Sequence, residues 1–147
     1  MISVRPGNQN RKTFIMIEDL DRCVKKEIHD ALHEIGQSNV VHAKRLIYAR
    51  KTGRIYIING AFHQASAPFE APANLSGDLA RNLDFKVSGH TQMEFGDKTQ
   101  QGKAPYGFFL EEGTVKMKKR PHIRRTVLEQ SKETQVSLTN SMKRALK

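Results

Sequence analysis

The run Tyr106-Gly107-Phe108-Phe109-Leu110-Glu111-Glu112-Gly113-Thr114-Val115-Lys116-Met117-Lys118-Lys119-Arg120-Pro121-His122-Ile123 carries most of what the sequence says about the fold. Tyr106 to Leu110 is aromatic and aliphatic and reads as a buried strand, and Gly113-Thr114 reads as a bend. A dense basic turn follows, closed by Arg120-Pro121. Pro121 fixes its own φ and biases Arg120 toward extended geometry, so it suits the first turn of a helix better than an interior position. Helical periodicity starts directly after it. Ile123, Val127, Thr134, Leu138, Met142 and Leu146 recur mostly at four-residue steps and predict a C-terminal amphipathic helix of about seven turns. Its basic end, Lys143-Arg144, suits the negative pole of the helix dipole. The bend is therefore a hinge between a packed core and a helix, and Gly113 is expected where a Cβ would block the backbone.

Upstream, the pattern from Asp19 is helical. Leu20, Val24, Ile28, Ala31, Leu32 and Ile35 fall on one face, and Val40, Ala43, Leu46 and Ile47 resume the stripe to about Tyr48, so one long helix with a kink near Gly36 is predicted. Residues 1–12 read as a flexible arm, and Phe14-Ile15-Met16-Ile17 fits either an edge strand or the start of the helix. Ile55 to Ile58 is a strand ended by Asn59-Gly60, and Ala61 to Ser76, with Pro68 and Pro72, reads as a long loop. Ser76 to Leu83 reads as a short capped helix, Asp84 to Val87 and Gln92 to Phe95 as strands, and Gly96 to Lys103 as a hairpin tip leading to the Tyr106 strand. The expected fold is α+β: a long N-terminal helix and a C-terminal amphipathic helix packed on a small, mainly antiparallel sheet, with a long protruding loop.

The 147 residues suit a single domain, 1–147. No apolar run approaches the 18 or so residues of a membrane helix, so no membrane is expected as a partner. The N-terminus lacks a basic stretch followed by an apolar one, and the lone Cys23 permits no internal disulfide, which points to synthesis in the cytoplasm. The net charge of +10 invites contact with nucleic acid, since cations release the counterions of phosphates. Lys116, Lys118, Lys119, Arg120, Arg124 and Arg125 are the densest cluster, but no aromatics interleave with it to stack bases. An acidic surface on a neighbouring subunit fits it better than DNA.

Chemistry is sparse. His29 and His33 stand four apart on the predicted helix, as two metal ligands would, but the residue after His29 is Asp30 rather than the glutamate of a metalloprotease, and a solvated edge is the preferred reading. Gly96 to Lys103 has five residues between its glycines and Ala104 in place of the magnesium-binding hydroxyl, which argues against a phosphate loop. Glu111 and Glu112, adjacent in a strand, would face opposite ways, and Cys23 reads as a packed thiol without a base. No catalytic residue, metal or cofactor is expected.

The pattern Phe109, Leu110, Glu111, Gly113, Thr114, Lys116, Met117, Arg120 and Pro121 resembles the signature of small neck or tail-completion proteins of tailed bacteriophages, the family named after gene product ten of a lambdoid phage. A second ordered match precedes it: a proline-containing loop and Ser-Gly pair leading to a strand, met by Pro68, Ala71, Pro72, Ala73, Asn74, Leu75, Ser76, Gly77, Leu79 and Leu83. His122 stands where relatives have an aromatic, and Lys118-Lys119 where they have small residues or prolines. The resemblance implies a non-enzymatic virion component, made in the host cytoplasm, that forms a hexameric ring at the head-to-tail junction. Its partners would be copies of itself and connector, tail-terminator or tail-tube proteins, with DNA passing through the lumen without sequence-specific binding. Phe109 to Pro121 would then be an interface, with Pro68, Pro72, Leu75 and Gly77 as loop contacts. The alternative is a basic nucleic-acid-binding accessory protein.

Overall fold

The computed structural model describes residues 8–98 and 106–146. Helix α1 (Asn8–Tyr48) runs for 41 residues, about 60 Å. Ala31, Ile35, Asn39, His42, Ala43 and Ile47 are buried at three- and four-residue steps, which is the stripe the period predicts. The helix begins earlier than expected. Residues 8–12, read as a flexible arm, are already helical, as is Phe14 to Ile17, while residues 1–7 lie outside the described part. Gly36 does not interrupt α1. Its missing side chain is the space into which Phe85 packs, and a Cβ there would overlap the Phe85 ring. A glycine inside a helix costs about 1 kcal/mol against alanine, and this contact is what the residue supplies in return.

Two separate antiparallel hairpins follow rather than one sheet. The first joins β1 (Ile55–Ile58) to β2 (Ala61–Gln64) through Asn59-Gly60, whose φ values of 51° and 79° are those a two-residue hairpin turn demands. Ala61 to Gln64 was expected in the loop. The prolines downstream mask a short strand that pairs Ile57 with Phe62 and Ile55 with Gln64. The rest of the expected loop projects only in part: Phe69 and Leu75 are exposed, but Ser66, Ala71 and Pro72 are buried against the body. Glu70 pins the root of the hairpin by accepting bonds from Ala67 N (2.8 Å) and Thr52 N (3.1 Å).

Helix α2 (Asp78–Asn82) leads straight into the second hairpin, β3 (Leu83–Ser88) with β4 (Gln92–Asp97). This hairpin lies along α1 and closes the core, in which Ala43 and Ile47 meet Ala80 and Leu83, with Leu79 and Phe95 packed around them. Tyr106 to Leu110 is the clearest correction. It is not a strand but most of helix α3 (Tyr106–Glu112), with Leu110 buried and Gly107 against β4, where a Cβ would overlap the Asp97 carboxylate. The backbone lies too close to β4 for a side chain at 107, and a helix presents that glycine and Leu110 on one side.

Helix α4 (Ile123–Ala145) starts where Pro121 predicts and returns antiparallel along α1: Gln130 meets Ser38, Glu129 meets His42 and Arg144 meets Glu27. Its buried face is Thr126, Gln130, Ser141 and Ala145, whereas Val127, Met142 and Leu146, expected inward, are exposed. Small and polar residues let the two helices approach and bond across the seam. Cys23, read as packed, is also exposed.

Candidate functional site

The Gly113-Thr114 bend is built from the end of α3. Gly113, at φ 77°, donates its N–H to Phe109 O at 2.9 Å, terminating the helix in the left-handed conformation that glycine favours. A Cβ at 113 would lie 2.9 Å from Met117 O, so only glycine fits without a shift. Thr114 then folds the next turn on itself. Its N–H donates to Met117 O at 2.8 Å, and its Oγ1 accepts from Met117 N at 3.1 Å. The chain returns when Arg120 N donates to Leu110 O at 2.7 Å. Thus Leu110, Gly113, Thr114, Met117 and Arg120 form one stitched loop, leaving Phe109, Val115, Lys116 and Lys118 toward solvent.

Under this loop lies a charged centre that no spacing in the chain announces. His122 is fully buried, its Nδ1 3.1 Å from Glu111 and its Nε2 3.3 Å from Asp97. The angles fall outside hydrogen-bond geometry, so the three are held as close charges. Burial pushes the imidazole pKa down, but the two carboxylates outweigh it and hold it up at about 9. Burial likewise pushes Glu111 up, and here the His122 side chain and the backbone N–H groups of His122 and Ile123 win, leaving its carboxyl below the usual range. Those same two N–H groups are the unpaired donors that begin α4. Glu111 therefore caps a helix to which it does not belong. The glutamate of the Leu-Glu-x-Gly-Thr pattern, expected at an interface, works inside the subunit.

The basic turn is partly neutralised where it stands. Glu112 pairs with both Lys119 and Arg124 at 3.1 Å, and Glu129 pairs with Arg125 at 2.7 Å. The two segments matched in the sequence do meet, since Phe69 N donates to Lys119 O at 2.8 Å and so ties the loop to the basic turn. Within that loop Pro68 and Leu75 are exposed, Pro72 is buried, and Gly77, at φ 82°, precedes the first turn of α2.

Two further features escaped sequence reasoning. Between α1 and α4, His42 Nε2 meets Glu129 at 2.7 Å while Gln130 Nε2 meets His42 Nδ1 at 3.0 Å, and Ser38 donates to Gln130 Oε1 at 3.1 Å. This network floors an open groove of about 490 Å³. Every polar atom named is engaged, and the Ser38 hydroxyl in the same groove donates to Gln130 rather than to the imidazole. The second feature is the β1–β2 hairpin. Phe62 is 82% exposed and Ile57 70%, and Ile55 and Tyr56 are exposed too, so both faces carry apolar side chains to solvent. The Asn59-Gly60 turn was the signal that could have exposed it. Compared with protein-family models, with characterised proteins and with solved structures, the chain matches none of them.

Proposed function

We propose that the chain is a structural component of a tailed-bacteriophage virion, a neck or tail-completion protein that closes with copies of itself into a ring at the head-to-tail junction and lets DNA pass through the lumen. The observation that carries this reading beyond the motif is the β1–β2 hairpin. Two short strands standing alone are at best marginally stable in water. This pair has an open edge on each strand and apolar residues on both faces, and Ile57, Phe62, Ile55 and Tyr56 find no cover in the described part of the subunit. A second copy would cover those faces and extend the ladder, and a closed ring repeats the contact without leaving an edge. The stitched loop, with Phe109 and Val115 at its surface and Phe69 exposed on the segment tied to it, supplies a further contact area for a neighbouring subunit or connector protein.

The test is assembly. Electron microscopy and light scattering of the concentrated protein, alone and with its neck partners, should reveal rings. Ile57→Asp with Phe62→Asp should leave a folded monomer that no longer assembles. A wild-type chain that neither forms rings nor joins particles under these conditions sinks the proposal. The net charge of +10 and the exposed Lys116 and Lys118 keep a nucleic-acid-binding role as the second reading. Tight duplex binding at physiological salt with a steep salt slope would favour it. The acidic partners of Lys119, Arg124 and Arg125 weigh against it.

A further inference from the structure

The β3–β4 hairpin lies along α1 with a fixed offset. Phe85 packs over Gly36, and its ring meets His33 edge-on, with centroids 5.6 Å apart. From Phe85 the strand runs toward the Gly89-His90 turn while α1 runs back from Gly36 toward His29. The strand ends at Ser88 and the turn then brings the chain back over the helix. His90 is thereby delivered to the helical histidine pair. The His29 and His33 rings are 4.9 Å apart and the His29 and His90 rings 6.4 Å.

We infer that His29, His33 and His90 form a binding site for a divalent transition-metal ion of the zinc type, which clamps the β3–β4 turn to α1. A tetrahedral ion about 2.0–2.1 Å from each ligating nitrogen keeps imidazole ring centres about 5 Å apart, and the helical pair already stands at 4.9 Å. As they stand, no three ligating groups among the described residues converge on one ion. The remaining gap is at His90, an exposed side chain on a turn whose Gly89 has φ 63°, and the site requires that side chain to rotate toward the helical pair when the ion binds. Asp30 lies 3.7 Å from His29 Nδ1, beyond hydrogen-bond reach but near enough for its negative charge to favour a bound cation. His33 and His90 are exposed and His29 is half-buried, so water completes the coordination and the ion enters freely. The sequence offers only the pair. The third ligand comes from packing that Gly36 permits.

The experiment is calorimetric titration of the untagged full-length protein with Zn²⁺ at neutral pH, together with thermal melts. One ion per chain is expected, with a melting temperature that rises on adding Zn²⁺. His29→Ala, His33→Ala and His90→Ala should each weaken binding about tenfold or more; His29→Ala and His90→Ala should keep the metal-free melting temperature, whereas His33→Ala also loses its edge-on contact with Phe85 and is read by binding alone. His63→Ala, on the other hairpin, should change nothing. Absence of binding, or a His90→Ala variant that binds as tightly as wild type, overturns the three-histidine site. The second result would reduce it to an ordinary helical pair.

Discussion

The two hairpins have the same antiparallel pairing and very different surroundings. The β3–β4 hairpin is fastened along its length: Phe85 sits over Gly36, Leu83 lies in the core, and Asp97, at the end of β4, faces the buried His122. The β1–β2 hairpin is fastened only at its root by Glu70 and turns Ile57 and Phe62 to solvent. Apolar content does not separate them. What separates them is whether another element of the same subunit offers a surface, and α1 offers one only to the second hairpin. The uncovered apolar faces of the first hairpin are what the proposal of assembly rests on.

Substitutions can break this contrast. The largest effect is expected for His122→Ala, which leaves Asp97 and Glu111 buried without their cation and should cost about 3–5 kcal/mol in denaturant unfolding. Phe85→Ala should cost about 3 kcal/mol by opening a void against α1. An equal loss from Phe62→Ala would erase the distinction between the hairpins. A pH series sharpens it further. His122 has its folded pKa raised from 6.5 to about 9, so its stabilisation is complete below 6.5 and fades as pH climbs through about 9. Glu111 is lowered from 4.5, so its contribution holds above 4.5 and is lost as pH falls through its depressed value. Melting temperatures should decline on the alkaline side in wild type, and His122→Ala should remove that decline. The smallest effect is expected for Phe62→Ala on the isolated subunit, within about 0.5 kcal/mol, although assembly should suffer.

Helical period was legible because it repeats: α4, and α1 from Asp19 to Tyr48, have the positions their apolar spacing predicts, while the first turns of α1 were not foreseen. Which face turns inward was less so. Gln130 is buried where α1 presents Ser38 and His42 for bonding, and Thr126 spends its hydroxyl on His122 O within α4; nothing in the spacing of Val127 and Met142 discloses that. Tyr106 to Leu110 misled through its aromatics, whose strand preference gave way to the contact between Gly107 and Asp97. The site was readable as a bend, since Gly113 and Pro121 have few other uses. Its charged centre was not, because Asp97, Glu111 and His122 belong to three elements that only folding brings together.

The carboxylate that opens the last helix is lent by the helix before it. Taken alone, the 23 residues of α4 would have to nucleate with their leading amides unpaired, a poor beginning for a segment of that length. On a ribosome, those residues emerge after their starter is already in place. The final rod of the molecule thus takes its first turn from a seven-residue neighbour, and losing that neighbour would fray its start while the bonds to α1 hold the remainder.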